Sequence, residues 1–149
     1  MNAYPTPVEL MNTGWRLHAR TGFTGLVGPL WSRRDQDGGL TLGVITGDDH
    51  LNPGGFVHGG LLATLLDHVV STLAWEAANR TPCVTIQLDT KYLTAVPSGS
   101  FVEARGSVIR QTRELVFAQG ELRVGTGVAA VGTAVLKIVT YGRKQGNGD

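Results

Sequence analysis

Residues 59 to about 79 constrain the fold more than any other segment: they read as one long helix, apolar on nearly every side. Leu61, Leu62, Ala63, Leu65, Leu66, Val69, Val70, Leu73, Ala74 and Trp75 surround it, and Arg80-Thr81-Pro82 stops it. A helix that is apolar all round must be buried all round. One flat sheet covers only one side. The sheet must therefore curl around the helix, or a second subunit must cover the remaining face, or both. Thr64, Asp67-His68 and Ser71-Thr72 interrupt the apolar run, which is shorter than the ~20 residues of a membrane span.

The flanking sequence supplies strands. Leu30–Arg34 and residues 40–46 read as two strands about the turn Asp35-Gln36-Asp37-Gly38-Gly39. Residues 84–92 alternate apolar and polar, which is the period-2 signature of a strand. Further strands are expected over 101–110, Leu115–Val124 and 128–139, with a turn at Pro97-Ser98-Gly99. Residues 7–20 carry a loose helical pattern weakened by Gly14. Antiparallel strands with a segregated helix make an α+β layout. The expected organisation is a peripheral N-terminal helical segment over 1–22, one domain over 23–141, and a polar, disordered tail over 142–149.

Composition narrows the function. The chain of 149 residues suits one domain. A net charge of +1 without any Lys/Arg run gives no electrostatic footprint for nucleic acid. Cys83, the only cysteine, precludes an intrachain disulfide and fits a reducing compartment, and the N-terminus lacks the pattern of a signal peptide. The expectation is a cytoplasmic protein without a membrane partner. Glycine, at 21 residues, is about twice its usual share, and tight hairpin turns are the expected reason.

The loop Asn52-Pro53-Gly54-Gly55-Phe56-Val57-His58-Gly59-Gly60 runs straight into the apolar helix, which carries one carboxylate, Asp67. The first backbone N–H groups of a helix lack internal partners and carry the positive end of its dipole. At Gly59 and Gly60 no Cβ blocks a carbonyl from approaching them. The plain alternative is a tight loop-to-helix turn. An acid among apolar residues is costly without a partner. Asp67 is either a reactive group, as general base or nucleophile, or a structural acceptor for Thr64 or Ser71.

The pattern Asn52-x-x-Gly55-x-x-His58-Gly59-Gly60, with Asp67 following in the helix, resembles the hotdog-fold thioesterases of the phenylacetate and 4-hydroxybenzoyl-CoA type. The resemblance covers roughly residues 23–140. It implies an antiparallel sheet wrapped around a central helix, in a homodimer or homotetramer that hydrolyses acyl-CoA thioesters. No metal and no cofactor beyond substrate CoA are implied. It makes Asp67 the catalytic carboxylate, Gly59 the likelier oxyanion donor, and Thr85 a hydroxyl near the acid. A non-catalytic acyl-CoA-binding module of the same fold is the alternative, but a binder has no need of Asp67.

The remaining candidates carry two readings each. Asn52 either orients the attacking water or forms an Asx turn ahead of Pro53. His58 either bonds the carbonyl region or braces the loop. Alternation groups Thr85 with Gln87 and Asp89, on a face that lines the site or meets solvent. Arg110 and Arg113 are candidates for the CoA 3′-phosphate, or else solvated surface. Asp48-Asp49-His50 lacks further ligands at useful spacing for a metal. Phe56, Leu62 and Trp75 are candidates for an acyl pocket, or else core.

Spacing adds a constraint. Gly59 and Asp67 stand eight residues apart, about 12 Å along a helix axis. One carbonyl cannot touch both at about 3 Å. If both act, two helices must pair across a two-fold axis, each site taking its donor from one subunit and its acid from the other.

Overall fold

The computed structural model describes residues 4–140. In chain order the elements are α1 (Pro7–Asn12), β1 (Arg16–His18), α2 (Gly22–Val27), β2 (Leu30–Arg34), β3 (Leu40–Ile45), α3 (Gly59–Ala77), β4 (Cys83–Tyr92), β5 (Phe101–Gln111), β6 (Leu115–Val124) and β7 (Gly127–Ile138). The seven strands form one sheet in the order β1-β2-β3-β5-β6-β7-β4, every neighbouring pair antiparallel. The sheet packs on α3, which touches β3, β5, β6, β7 and β4. This α+β arrangement is the hotdog fold.

The helix expected over residues 7–20 is shorter. Thr6 and Glu9 form a reciprocal capping box, and α1 ends at Asn12. Gly14, at φ +86°, turns the chain, and Arg16–His18 then pair with β2 as an edge strand. Leu10 and Trp15 anchor this segment against Trp31 and Phe101, a second small core. The expected polar tail lies outside the described residues.

Helix α3 buries Leu61, Leu62, Leu65, Leu66, Val69, Val70 and Ala74 against the sheet. Each buried Leu or Val among them contributes about 1.5–3 kcal/mol. The other side is not buried within one chain. Thr64, Asp67, His68, Ser71 and Thr72 are half-buried there, and Trp75 is exposed. Of the two covers expected, the sheet supplies one side of the helix, and the interrupting polar residues fall on the other, the side that the expectation assigned to a second subunit. The helix ends where Asn79 and Arg80 turn left-handed, with Arg80 N–H bonded to the Trp75 carbonyl at 2.7 Å.

Turns do not account for all the glycine. Gly106, Gly120 and Gly132 pair in register across β5, β6 and β7, within strands. A Cβ at Gly120 would stand 3.3 Å from the Leu66 side chain, and one at Gly132 the same distance from it. At Gly106 it would meet the Gln119 carbonyl oxygen at 2.5 Å and Leu73 at 3.1 Å. These glycines let α3 lie deep against the sheet. That depth fixes where Asp67 sits relative to β4.

Candidate active site

The loop before α3 is held by its own polar side chains. Asn52 Oδ1 accepts from the N–H groups of Gly54 (2.9 Å) and Phe56 (3.2 Å), so Asn52 does form an Asx-type turn. Its Nδ2 has no partner among the described residues. His58 is the N-cap of α3, and its Nδ1 accepts from Gly60 N–H at 2.8 Å. His58 thus braces the helix start and occupies the Gly60 donor. The N–H groups of Leu61 and Leu62 turn to the His58 carbonyl, at 3.0 and 3.4 Å. Gly59 N–H alone among these first donors has no partner among the described residues. Tyr92, at the end of β4, donates its hydroxyl to the Gly59 carbonyl at 3.0 Å. No sequence signal singled out Tyr92, because its contact spans 33 residues of chain.

Asn52, Phe56, Gly59, Leu62, Tyr92 and Val96 line one cavity of about 380 Å³. Asp67 does not line it. Phe56 and Leu62 therefore lie in the same cavity as Gly59. Trp75 lies elsewhere, with the Arg80 guanidinium 5.4 Å from its ring centroid.

Asp67 belongs to a separate cluster. Thr85 Oγ1 donates to Asp67 Oδ1 at 2.6 Å, and Ser71 Oγ lies 3.3 Å from Thr85 Oγ1. A hydroxyl has one proton to donate, so Ser71 donates to Thr85 and Thr85 to Asp67. Oδ2 of Asp67 has no donor among the described residues and is open to water or substrate.

The expected grouping of Thr85 with Gln87 and Asp89 is corrected by a β-bulge. Thr85 pairs with Leu136 but Gln87 with Val135, so the register of β4 against β7 shifts at Ile86. A bulge residue reverses the alternation beyond it. Thr85 shares the helix-facing side with Cys83 and Leu88, while Gln87 and Asp89 face outward. This places the hydroxyl on the acid.

The other candidates fall outside both clusters. Arg110 and Arg113 are exposed at the β5–β6 end and do not line the Gly59 cavity. His50 Nδ1 accepts from Gly47 N–H at 3.0 Å, within a short 3₁₀ turn over Asp48–His50. Burial pushes the Cys83 thiol up, which keeps it protonated at neutral pH.

His68 points to the β2–β3 side of α3. Burial first, then the positive charge of Arg20, pushes it below its ordinary value of 6.5, with Asp67 opposing. The folded state thus binds fewer protons than the unfolded chain below that value. Its neutral form contributes stability that is complete above pH 6.5 and is lost as pH falls toward the folded value. Urea midpoints should decline on acidification through this range, and His68→Gln should flatten that decline. Parallel pH curves for the two proteins would contradict the assignment.

Fold and site together define a hotdog protein with an unpaired helix-start donor and a hydroxyl-held acid. The sequence pattern of the thioesterase superfamily matches residues 54–131, and the chain belongs to that family. Human acyl-coenzyme A thioesterase 13 is 30% identical over 97 residues, 64% of this chain and 63% of that protein. The chain thus spans less than two thirds of that relative's length. A Pseudomonas aeruginosa protein named as an esterase is 28% identical over 76% of this chain and 85% of its own. A Bacillus halodurans structure with CoA superposes with a TM-score of 0.65 at 26% identity, covering 74% of each chain. No helix among the described residues is long and apolar enough to cross a membrane.

Proposed function

We propose that the protein hydrolyses acyl-CoA thioesters, with an aromatic or medium-chain acyl group, in sites shared between two subunits. One observation carries this reading. The free donor at Gly59 and the acid at Asp67 stand about 12 Å apart along one helix, in separate clusters. Each is half of a site. The acyl-CoA part is supported by the human relative's name and by the CoA in the Bacillus halodurans structure.

In each site Asp67 of one subunit takes the proton of a water that attacks the thioester carbonyl carbon, or attacks that carbon itself to form an anhydride that water then cleaves. The oxygen that gains charge accepts from Gly59 N–H of the other subunit. Collapse breaks the C–S bond, and the thiolate of CoA takes up the proton. Thr85 holds the carboxylate in place. Asn52 Nδ2 positions water or the thioester oxygen, His58 and Gly60 hold the helix start, and Arg110 and Arg113 meet the CoA 3′-phosphate.

Self-association is supported by the free edge of β4, where Val84 and Ile86 are exposed, and by the half-covered side of α3. A homodimer satisfies the spacing, and two such dimers would form a tetramer. The test follows thiol release from phenylacetyl-, benzoyl-, hydroxybenzoyl- and straight-chain acyl-CoAs. Turnover of at least one is expected. Silence across the panel with tight binding would instead make the protein a non-catalytic acyl-CoA-binding module.

A further inference from the structure

A second cavity, of about 460 Å³, lies between β1–β3 and α3. Its floor includes the buried side chains of Leu30, Leu40 and Leu42. Its walls carry Arg16, Arg20, Arg33 and Arg34, with His18 and His68. Two of the four arginines are already engaged. Arg34 pairs with Glu76 and donates to the Gly38 carbonyl at 2.8 Å. Arg33 lies over the Trp15 ring, 4.7 Å from its centroid, and 3.8 Å from Glu103. His18 Nε2 is spent on Ser32 Oγ at 2.6 Å. Arg16 and Arg20 have no acidic partner among the described residues. The charge of Arg20 reaches inward, adding to burial in holding His68 below its ordinary value.

One wall residue, His68, is close enough to feel the Asp67 charge, although Asp67 itself turns to Thr85 of β4 and does not line the cavity. His68 follows Asp67 directly, and Thr72, also in the wall, lies about 7.5 Å further along the helix, away from Gly59. We infer that this cavity receives the far end of the acyl group, and that Arg16 and Arg20 select an acyl chain ending in a carboxylate. An apolar floor under unpaired guanidinium groups suits an aliphatic chain with a charged tip, since Arg presents planar donors that match a carboxylate. The phosphates of CoA are the competing anion. They stand at the far end of the pantetheine arm, whereas His68 in the cavity wall is the residue next to the acid in α3.

The inference rests on the hydrolase reading above, and its test separates the two. Affinity and kcat/KM are measured for hexanoyl-CoA and for the thioester of the same length ending in a carboxylate. Both are repeated as pantetheine thioesters, which lack the CoA phosphates. Wild-type protein should favour the carboxylate-ended chain by about tenfold, on either carrier. The Arg16→Gln/Arg20→Gln protein should lose that preference. Both positions are exposed, and circular dichroism verifies the fold. Equal handling of the two chains by wild type, or a preference unchanged in the variant, overturns the inference. So does an effect of the variant that is the same for both acyl chains and vanishes on pantetheine, which would assign the arginines to the phosphates. If no thioester is hydrolysed, the hydrolase reading fails, and the affinity ratio still decides whether the cavity reads the carboxylate.

Discussion

Asp67→Asn should fold normally and turn over acyl-CoA about 10²–10⁴-fold more slowly, the usual cost of losing a general base. The substitution keeps the size and shape of the side chain. Thr85 Oγ1 can donate to the amide oxygen as it donates now to Asp67 Oδ1 at 2.6 Å. The chain of hydroxyls from Ser71 through Thr85 therefore survives. What disappears is the capacity to accept a proton or to attack carbon. Both mechanisms open to Asp67 predict the loss, so the experiment tests the residue rather than the choice between them. Thiol release gives the rate, and circular dichroism with a urea midpoint verifies the fold. A near-normal rate in a folded protein would remove Asp67 from the chemistry.

The second large effect is expected at a backbone group. Gly59→Pro replaces one N–H by a ring carbon and adds a Cβ 3.3 Å from the Tyr92 ring. Gly59 is the first residue of α3, the helical position that tolerates proline best. The preceding residue, His58, is at φ −63° and ψ 135°, an extended conformation compatible with a following proline. No hydrogen bond among the described residues is lost, and the His58–Gly60 cap remains. Loss of an oxyanion donor should lower kcat by about 10²–10³-fold. Gly59→Ala is the control. It adds the same Cβ, 3.3 Å from the exposed Tyr92 ring, but keeps the N–H. The difference between the two variants measures the loss of the donor together with the bulk of the ring at the nitrogen. Equal rates in Gly59→Pro and Gly59→Ala would place the oxyanion elsewhere.

Much of this architecture was legible in the sequence because period and punctuation agree. The strands β2 to β7 alternate or are bounded by turn residues, and α3 is long, periodic and ends near a proline. Asp67 stood out because a carboxylate in an apolar helix requires an explanation. Other features depend on contacts between distant residues. The three residues of β1 become a strand only through β2, inside a stretch that looks helical on its own. The bulge at Ile86 leaves no mark in an alternating segment, yet it decides that Thr85 faces the acid and Gln87 does not. The glycines in mid-strand read as turns until α3 is seen lying over them. The one-sided burial of α3 was hidden by its many apolar residues, which mask the polar stripe that the sheet leaves uncovered.

The proposed reaction needs two half-sites, one from each of two chains. The most direct measurement mixes Gly59→Pro with Asp67→Asn protein under conditions of verified subunit exchange. Each parent should be nearly inactive alone. A mixed dimer reunites intact Gly59 from one subunit with intact Asp67 from the other at one of its two sites. Random exchange makes about half of the dimers mixed, so thiol release should recover to about a quarter of the wild-type rate. No recovery after demonstrated exchange would contradict the shared-site geometry.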